Sequence, residues 1–139
     1  LGELCRSHWG SAVRIVGFGT HCGRVAAAHN WGDPVEFMRI RDSHEDSYER
    51  ICHDSGVPAF TLPLREPYSK SLRMQLLSPR LTRAIGVIYR PDTELASHYF
   101  QSSLPRQFDE YVWVDETSPV TPVPVPPVAG DPDTFPFAL

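Results

Sequence analysis

The seven residues Gly17-Phe18-Gly19-Thr20-His21-Cys22-Gly23 bring three glycines, a hydroxyl, an imidazole and a thiol together. A glycine-rich turn after a strand can cradle a pyrophosphate, provided that a helix follows and points its N-terminus at the anion. Here the third glycine comes one residue later than in the G-x-G-x-x-G spacing, and the following RVAAAHNWGDP is too broken for that helix. Nucleotide binding is disfavoured. A thiol beside an imidazole suggests a cysteine nucleophile, but adjacent residues of a strand point to opposite sides, so His21 is badly placed to deprotonate Cys22.

The six histidines stand at 8, 21, 29, 44, 53 and 98, with no H-x-x-x-H or H-x-x-E-H set and no zinc-type pairing with cysteine. No metal or other cofactor is expected. His44 and His53 read as solvent-facing, whereas His21 at a strand end and His98 beside Tyr99 are better placed for a ligand or a structural hydrogen bond. Asp92, Glu94, Asp115 and Glu116 follow two strand ends, where they serve as acid–base groups, as grips for a cation, or as solvated loop acids and caps. Arg90 follows an apolar run; its fork suits a carboxylate or oxyanion, or an ion pair with Glu94. No nucleophile, base and oxyanion donor assemble from this set, and no catalytic residue is assigned.

The elements that would carry these residues alternate. Residues 13–18 (VRIVGF) read as a strand buried on both faces, and residues 24–28 extend it or form a second strand. Residues 35–41 suit a strand with one wet face. Asp42 or Ser43, each with an acid three positions on, caps a helix with Tyr48, Ile51 and Cys52 inward and Gly56 at its end. Residues 59–64 read as a short strand that Pro63, which cannot donate to a ladder, demotes towards an edge or a strand end. Ser69 or Ser71 caps a helix with Leu72, Leu76 and Leu77 inward. Residues 84–89 (AIGVIY) read as a second buried strand, 93–103 as a helix with Leu95, Ala96 and Tyr99 inward, 105–110 as a helical turn and 111–114 as a last strand. Leu1, Leu4, Cys5 and His8 have helical spacing up to Gly10, with a stop signal and no start signal, as if these residues began inside a helix. The expected class is α/β, a largely parallel sheet with flanking helices. Its ligands would bind beyond the strands' carboxyl ends, at GFGTHCG, YRPDTE and VDET.

The chain's 139 residues suit one domain over 1–117, followed by a Pro-rich tail over 118–139 that holds seven of the 14 prolines and favours polyproline II. With 41% hydrophobic and 22% charged residues the composition is globular, and a net charge of −4 argues against nucleic acid and anionic membrane as partners. No apolar run approaches a membrane span. Cys5, Cys22 and Cys52 make no disulfide framework, which suits a reducing, cytoplasmic location.

Residues 83–122, RAIGVIYRPDTELASHYFQSSLPRQFDEYVWVDETSPVTP, resemble the closing region of the erythromycin esterase family almost throughout. LGELCRSHWGSAVRIVGFGTHCGRVAAAHNWGDP is similar to that family's strand, T-x-x-G turn and Ala-rich stretch. RIRDSHEDSYERICHDSGVPAFTLPLR is similar to its linker helix and strand, and DPDTFPFAL to the tail of longer members. The resemblance implies the C-terminal part of a larger α/β esterase fold. In that family a histidine activates water against esters, macrolide lactones among them, without metal or a serine nucleophile. The histidine and its supporting groups lie in the N-terminal portion and match no position here. The resemblance thus implies a fragment, inactive alone, that completes a sheet and lines part of a cleft for a small-molecule ester. Thr20, His21, Arg90, His98 and Tyr99 are its candidate substrate contacts. Cys22 stands where the family has no expected cysteine. The missing N-terminal half, or a second copy, is the expected partner. The alternative is a closed, monomeric, non-enzymatic α/β module that binds a ligand or partner.

Overall fold

The computed structural model describes residues 2–65 and 69–121, so the expected tail from residue 122 onward lies outside the described residues. Helix α1 (Gly2–Trp9) ends at Gly10, whose φ of 54° is the left-handed conformation that glycine supplies at a helix stop. Strand β1 (Val16–Gly19) then pairs in parallel with β7 (Glu110–Val114), and β4 (Ala59–Pro63) pairs antiparallel on the other side of β7. A second sheet has β2 (Cys22–Ala27) at its centre, antiparallel to β3 (Glu36–Ile40) and parallel to the short β8 (Glu116–Thr117). A third is the antiparallel pair β5 (Arg80–Arg83) and β6 (Tyr99–Ser102).

The class is α/β, but the sheets are mixed and not largely parallel. The chain between β2 and β3 is too short for the crossover of a dozen or more residues that a parallel pair requires, so it closes a hairpin. Two apolar runs also depart from the sequence reading. The first strand starts at Val16 and is an edge strand with Phe18 73% exposed, because β7 covers one side only. Residues 84–89 make only an isolated parallel bridge, Ile88 to Ala28, with Val87 exposed. The strand of that region lies just before it, as β5. Residues 93–103 split into a short helix α4 (Glu94–Ser97) and β6, so Tyr99 sits on a strand and Leu95 faces solvent.

Helix α2 (Tyr48–Asp54) begins later than Asp42 or Ser43 suggest. Its cap is Ser47, whose Oγ accepts the Arg50 N–H at 3.1 Å, and Ser43 is spent elsewhere. Tyr48 and Cys52 face inward as expected, but Ile51 does not, and Glu49 is buried. Ser69 caps α3 (Lys70–Leu76), with Leu76 inward and Leu72 exposed. The short helix α5 (Leu104–Gln107) leads into β7 as expected. One core cluster joins Tyr48, Cys52, Leu64, Leu76, Leu104, Tyr111 and Trp113; a second joins Ala27, Met38, Ile40 and Tyr89. The Tyr48 hydroxyl locks α2 onto the end of α3 through the carbonyls of Leu76 and Ser78.

Candidate functional site

β1 and β7 run in register, Phe18 beside Val112 and Gly19 beside Trp113, so their carboxyl ends lie side by side. Beyond Gly19 the chain turns through Thr20 and His21 into the second sheet. Both His21 and Cys22 donate their backbone N–H to Asp115 O, at 2.9 and 3.1 Å. This turn is where the chain changes sheets, the kind of crevice in which α/β folds hold ligands. A cavity of about 220 Å³ opens there, its apolar wall made by Phe18, Val25, Ile85, Val112 and Val114 and its polar wall by Thr20, Glu49 and Arg83.

Arg83 organises the polar side. One arm of its guanidinium donates to Arg41 O at 2.7 Å and to Glu94 Oε1 at 3.2 Å; the other reaches Thr20 O and, at 2.8 Å, His21 O. Its planar fork is built for several simultaneous acceptors, and the Tyr99 ring lies 5.9 Å from its centre. Glu49, projecting from α2, accepts the Arg83 backbone N–H on Oε1 at 3.0 Å and lies 3.4 Å from the Tyr111 hydroxyl. Its other oxygen, Oε2, is buried without a hydrogen-bond partner. Burial pushes the Glu49 carboxyl up, against the opposing pull of the Arg83 N–H. The Tyr111 hydroxyl is pushed up by its own burial and then by Glu49. Such a carboxyl can offer or accept a hydrogen bond to a polar group that enters the cavity.

Of the residues singled out in the sequence, Thr20 lines this cavity, with its hydroxyl donating to the carbonyls of Cys22 or Asp115. His21 is buried beside it, with Nδ1 2.7 Å from Ser43 Oγ and 3.3 Å from Ser43 N. Burial and the neighbouring His53 lower its pKa. The other three do not line this cavity. His98 accepts the Arg90 N–H on Nε2 at 3.0 Å and holds Ala84 O with Nδ1. The Tyr99 hydroxyl accepts the His44 N–H at 3.0 Å. Arg90 clamps the loop after β2 through His29 O and Asn30 Oδ1, and leaves Glu94 to Arg83.

Arg83 and Glu49 escaped the sequence reading. Their only traces are an arginine opening the apolar run after Thr82 and an acid next to the inward Tyr48. His53 was expected in solvent. Instead its ring stacks on His21, with centroids 3.6 Å apart and 11° between planes, and its Nδ1 meets Asp115 Oδ1 at 2.8 Å.

His21 lies in the turn and not in a strand, so the expected divergence from Cys22 does not apply. A ring nitrogen of His21, the Cys22 thiol and an Asp42 carboxylate oxygen lie within 4.8 Å of one another. Burial and then the Glu116, Asp42 and Asp115 carboxylates push the Cys22 thiol up, which opposes a thiolate nucleophile. The three glycines of GFGTHCG also find a use in packing. A methyl on Gly17 would strike the Phe108 ring and one on Gly19 the Tyr111 hydroxyl. Gly23, at φ 118°, lies against the Thr117 backbone. A strand follows them, so the phosphate-binding helix does not form.

Comparison with known proteins adds to this geometry. A family model described as erythromycin esterase matches residues 1–117. Among solved structures, a succinoglycan biosynthesis protein superposes with a TM-score of 0.66 at 17% identity, over 83% of this chain and 26% of its own. A protein from Bacillus cereus does so with 0.65 at 19% identity, over 83% and 27%. At these identities the likeness concerns the fold, and this chain spans about a quarter of each of those structures.

Proposed function

Because this chain belongs to the erythromycin esterase family, we propose that residues 1–117 form one wall of a cleft in which an ester or macrolactone is hydrolysed. In this reading the histidine that activates water comes from polypeptide outside these residues. The observation that carries it is the cavity beyond β1 and β7. Its buried Glu49 oxygen has no partner, and its apolar rim, with Phe18 and Val114, stands open. Thr20 and Glu49 supply hydrogen bonds to the substrate, Arg83 fixes both, by its guanidinium on Thr20 O and its backbone N–H on Glu49 Oε1, and the apolar rim takes the substrate's hydrocarbon face. A self-sufficient binding module would cover such a rim. Among the described residues no helix is long and apolar enough to cross a membrane.

The test compares the isolated chain with the product that includes the polypeptide encoded upstream, on nitrophenyl esters and a macrolactone. The longer product should turn over, and the isolated chain should fall at least about 10²–10⁴-fold below it, the usual cost of a missing general base. In the longer product, Glu49→Gln should raise KM more than it lowers kcat. Comparable turnover by the isolated chain, or no ester hydrolysis by either, would overturn the reading.

A further inference from the structure

We propose that His21, Cys22 and Asp42 form a binding site for a single divalent cation of the zinc class. None of the three donors lines the ester cleft, and the site does not depend on that function. One nitrogen, one sulfur and one oxygen donor lie within 4.8 Å of one another. Donors of a tetrahedral zinc site sit roughly 3.3–3.8 Å apart, given its bond lengths, so small side-chain rotations close the set. The donors come from two stretches of backbone: the adjacent His21 and Cys22, where the turn after β1 enters β2, and Asp42 in the segment leaving β3. Their convergence is a product of the tertiary structure.

The surroundings are built for ligation in two further ways. Ser43 Oγ sits 2.7 Å from His21 Nδ1, while Nε2 has no hydrogen-bond partner among the described residues. The Ser43 N–H donates to Nδ1 at 3.3 Å, so taking an ion on Nε2 requires the ring proton to move to Nδ1, where Ser43 Oγ accepts it in place of that contact, the outer-shell arrangement that orients metal-binding imidazoles. His53, stacked flat on His21 and tied to Asp115, holds the ring plane. Acidic groups also crowd the site. Glu116 is the strand neighbour of Cys22, Asp115 receives its N–H, and Asp42 itself is exposed, with Arg39 and Arg50 the nearby cations. The mix of imidazole, thiolate and carboxylate selects a borderline ion such as Zn²⁺ over Mg²⁺ or Ca²⁺. Binding replaces the thiol proton, which leaves to solvent, and leaves a fourth position for water.

The chain is freed of metal with a chelator and titrated with Co²⁺ and Zn²⁺ by absorption and calorimetry. One ion per chain is expected, with a thiolate-to-cobalt charge-transfer band and a rise in Tm. Cys22→Ser should abolish the band and weaken binding at least tenfold. Asp42→Asn, at an exposed position where folding is safe, should weaken binding with the band retained. Ser43→Ala should cost about 10–100-fold in affinity. Absence of binding at micromolar metal would overturn the site. Affinity unchanged from the native chain in both Cys22→Ser and Asp42→Asn would also do so, since the ion would then be adventitious on other histidines.

Discussion

Arg83 Nη1 and Glu94 Oε1 meet at 3.2 Å with their side chains only 3% and 5% exposed. The same guanidinium also holds the carbonyls of Thr20, His21 and Arg41, so one cation pins the turn after β1, the end of β3 and helix α4 together. A buried pair of this kind adds little net stability over a well-packed apolar pair, but removing one partner strands the other. Arg83→Met should therefore cost about 3–5 kcal/mol in denaturant unfolding, and the double variant Arg83→Met/Glu94→Leu clearly less than the sum of the single changes. Strict additivity would show that the two residues act independently.

Glu49 gives a pH signature. Burial raises its folded-state pKa above the unfolded value. The stability that goes with the protonated carboxyl is complete below the ordinary carboxyl range and is lost as pH climbs through the raised value. Glu49→Gln keeps an acceptor for the Arg83 N–H and removes the charge. Its stability relative to the native chain should rise from pH 4 toward pH 8; a constant difference across that span would rule out a buried, titrating carboxyl.

Asp109 has the opposite sign. Burial opposes its ionisation, but the Ile15 N–H at 2.7 Å and the guanidiniums of Arg6 and Arg65 at 2.9 and 2.6 Å together outweigh it, and its pKa is lowered. Its contribution is complete above the ordinary aspartate value and fades as pH falls through the lowered one. Asp109→Asn should cost about 2–3 kcal/mol at neutral pH, with both arginines partly solvated, and the gap should close in strong acid.

Gly19 is fixed by Tyr111, whose ring is wholly buried in the main core. Gly19→Ala should destabilise by about 1–3 kcal/mol or more as an overpacked contact, and Tyr111→Phe in the same chain should relieve part of that loss. If Gly19→Ala unfolds like the native chain in urea, the close approach of β1 to Tyr111 is not a constraint.

The sequence exposed elements more readily than partners. The strand at 111–114, the wet-faced strand at 35–41, the edge strand ended by Pro63 and the Ser69 cap all follow from local chemistry, and all form. AIGVIY shows where that logic stops. Its apolar residues satisfy a strand pattern, yet its ladder partner would have to be supplied by another segment, and only Ala28 meets it. Glu49 was illegible for a similar reason. An acid next to an inward tyrosine looks like a solvated helix position until Arg83, thirty-four residues on, lends it a backbone N–H.

Local residue pattern alone determined the family resemblance, the α/β class, most strand positions and the Ser69 cap. Tertiary structure alone decided strand direction, the choice of Arg83 over Arg90 as the buried cation, and the meeting of His21 with His53 and of Cys22 with Asp42. Helix caps and apolar periodicity act over a few residues and leave their mark in the chain. Charge pairing and donor convergence depend on distances between segments far apart in sequence, which packing sets once the chain has folded.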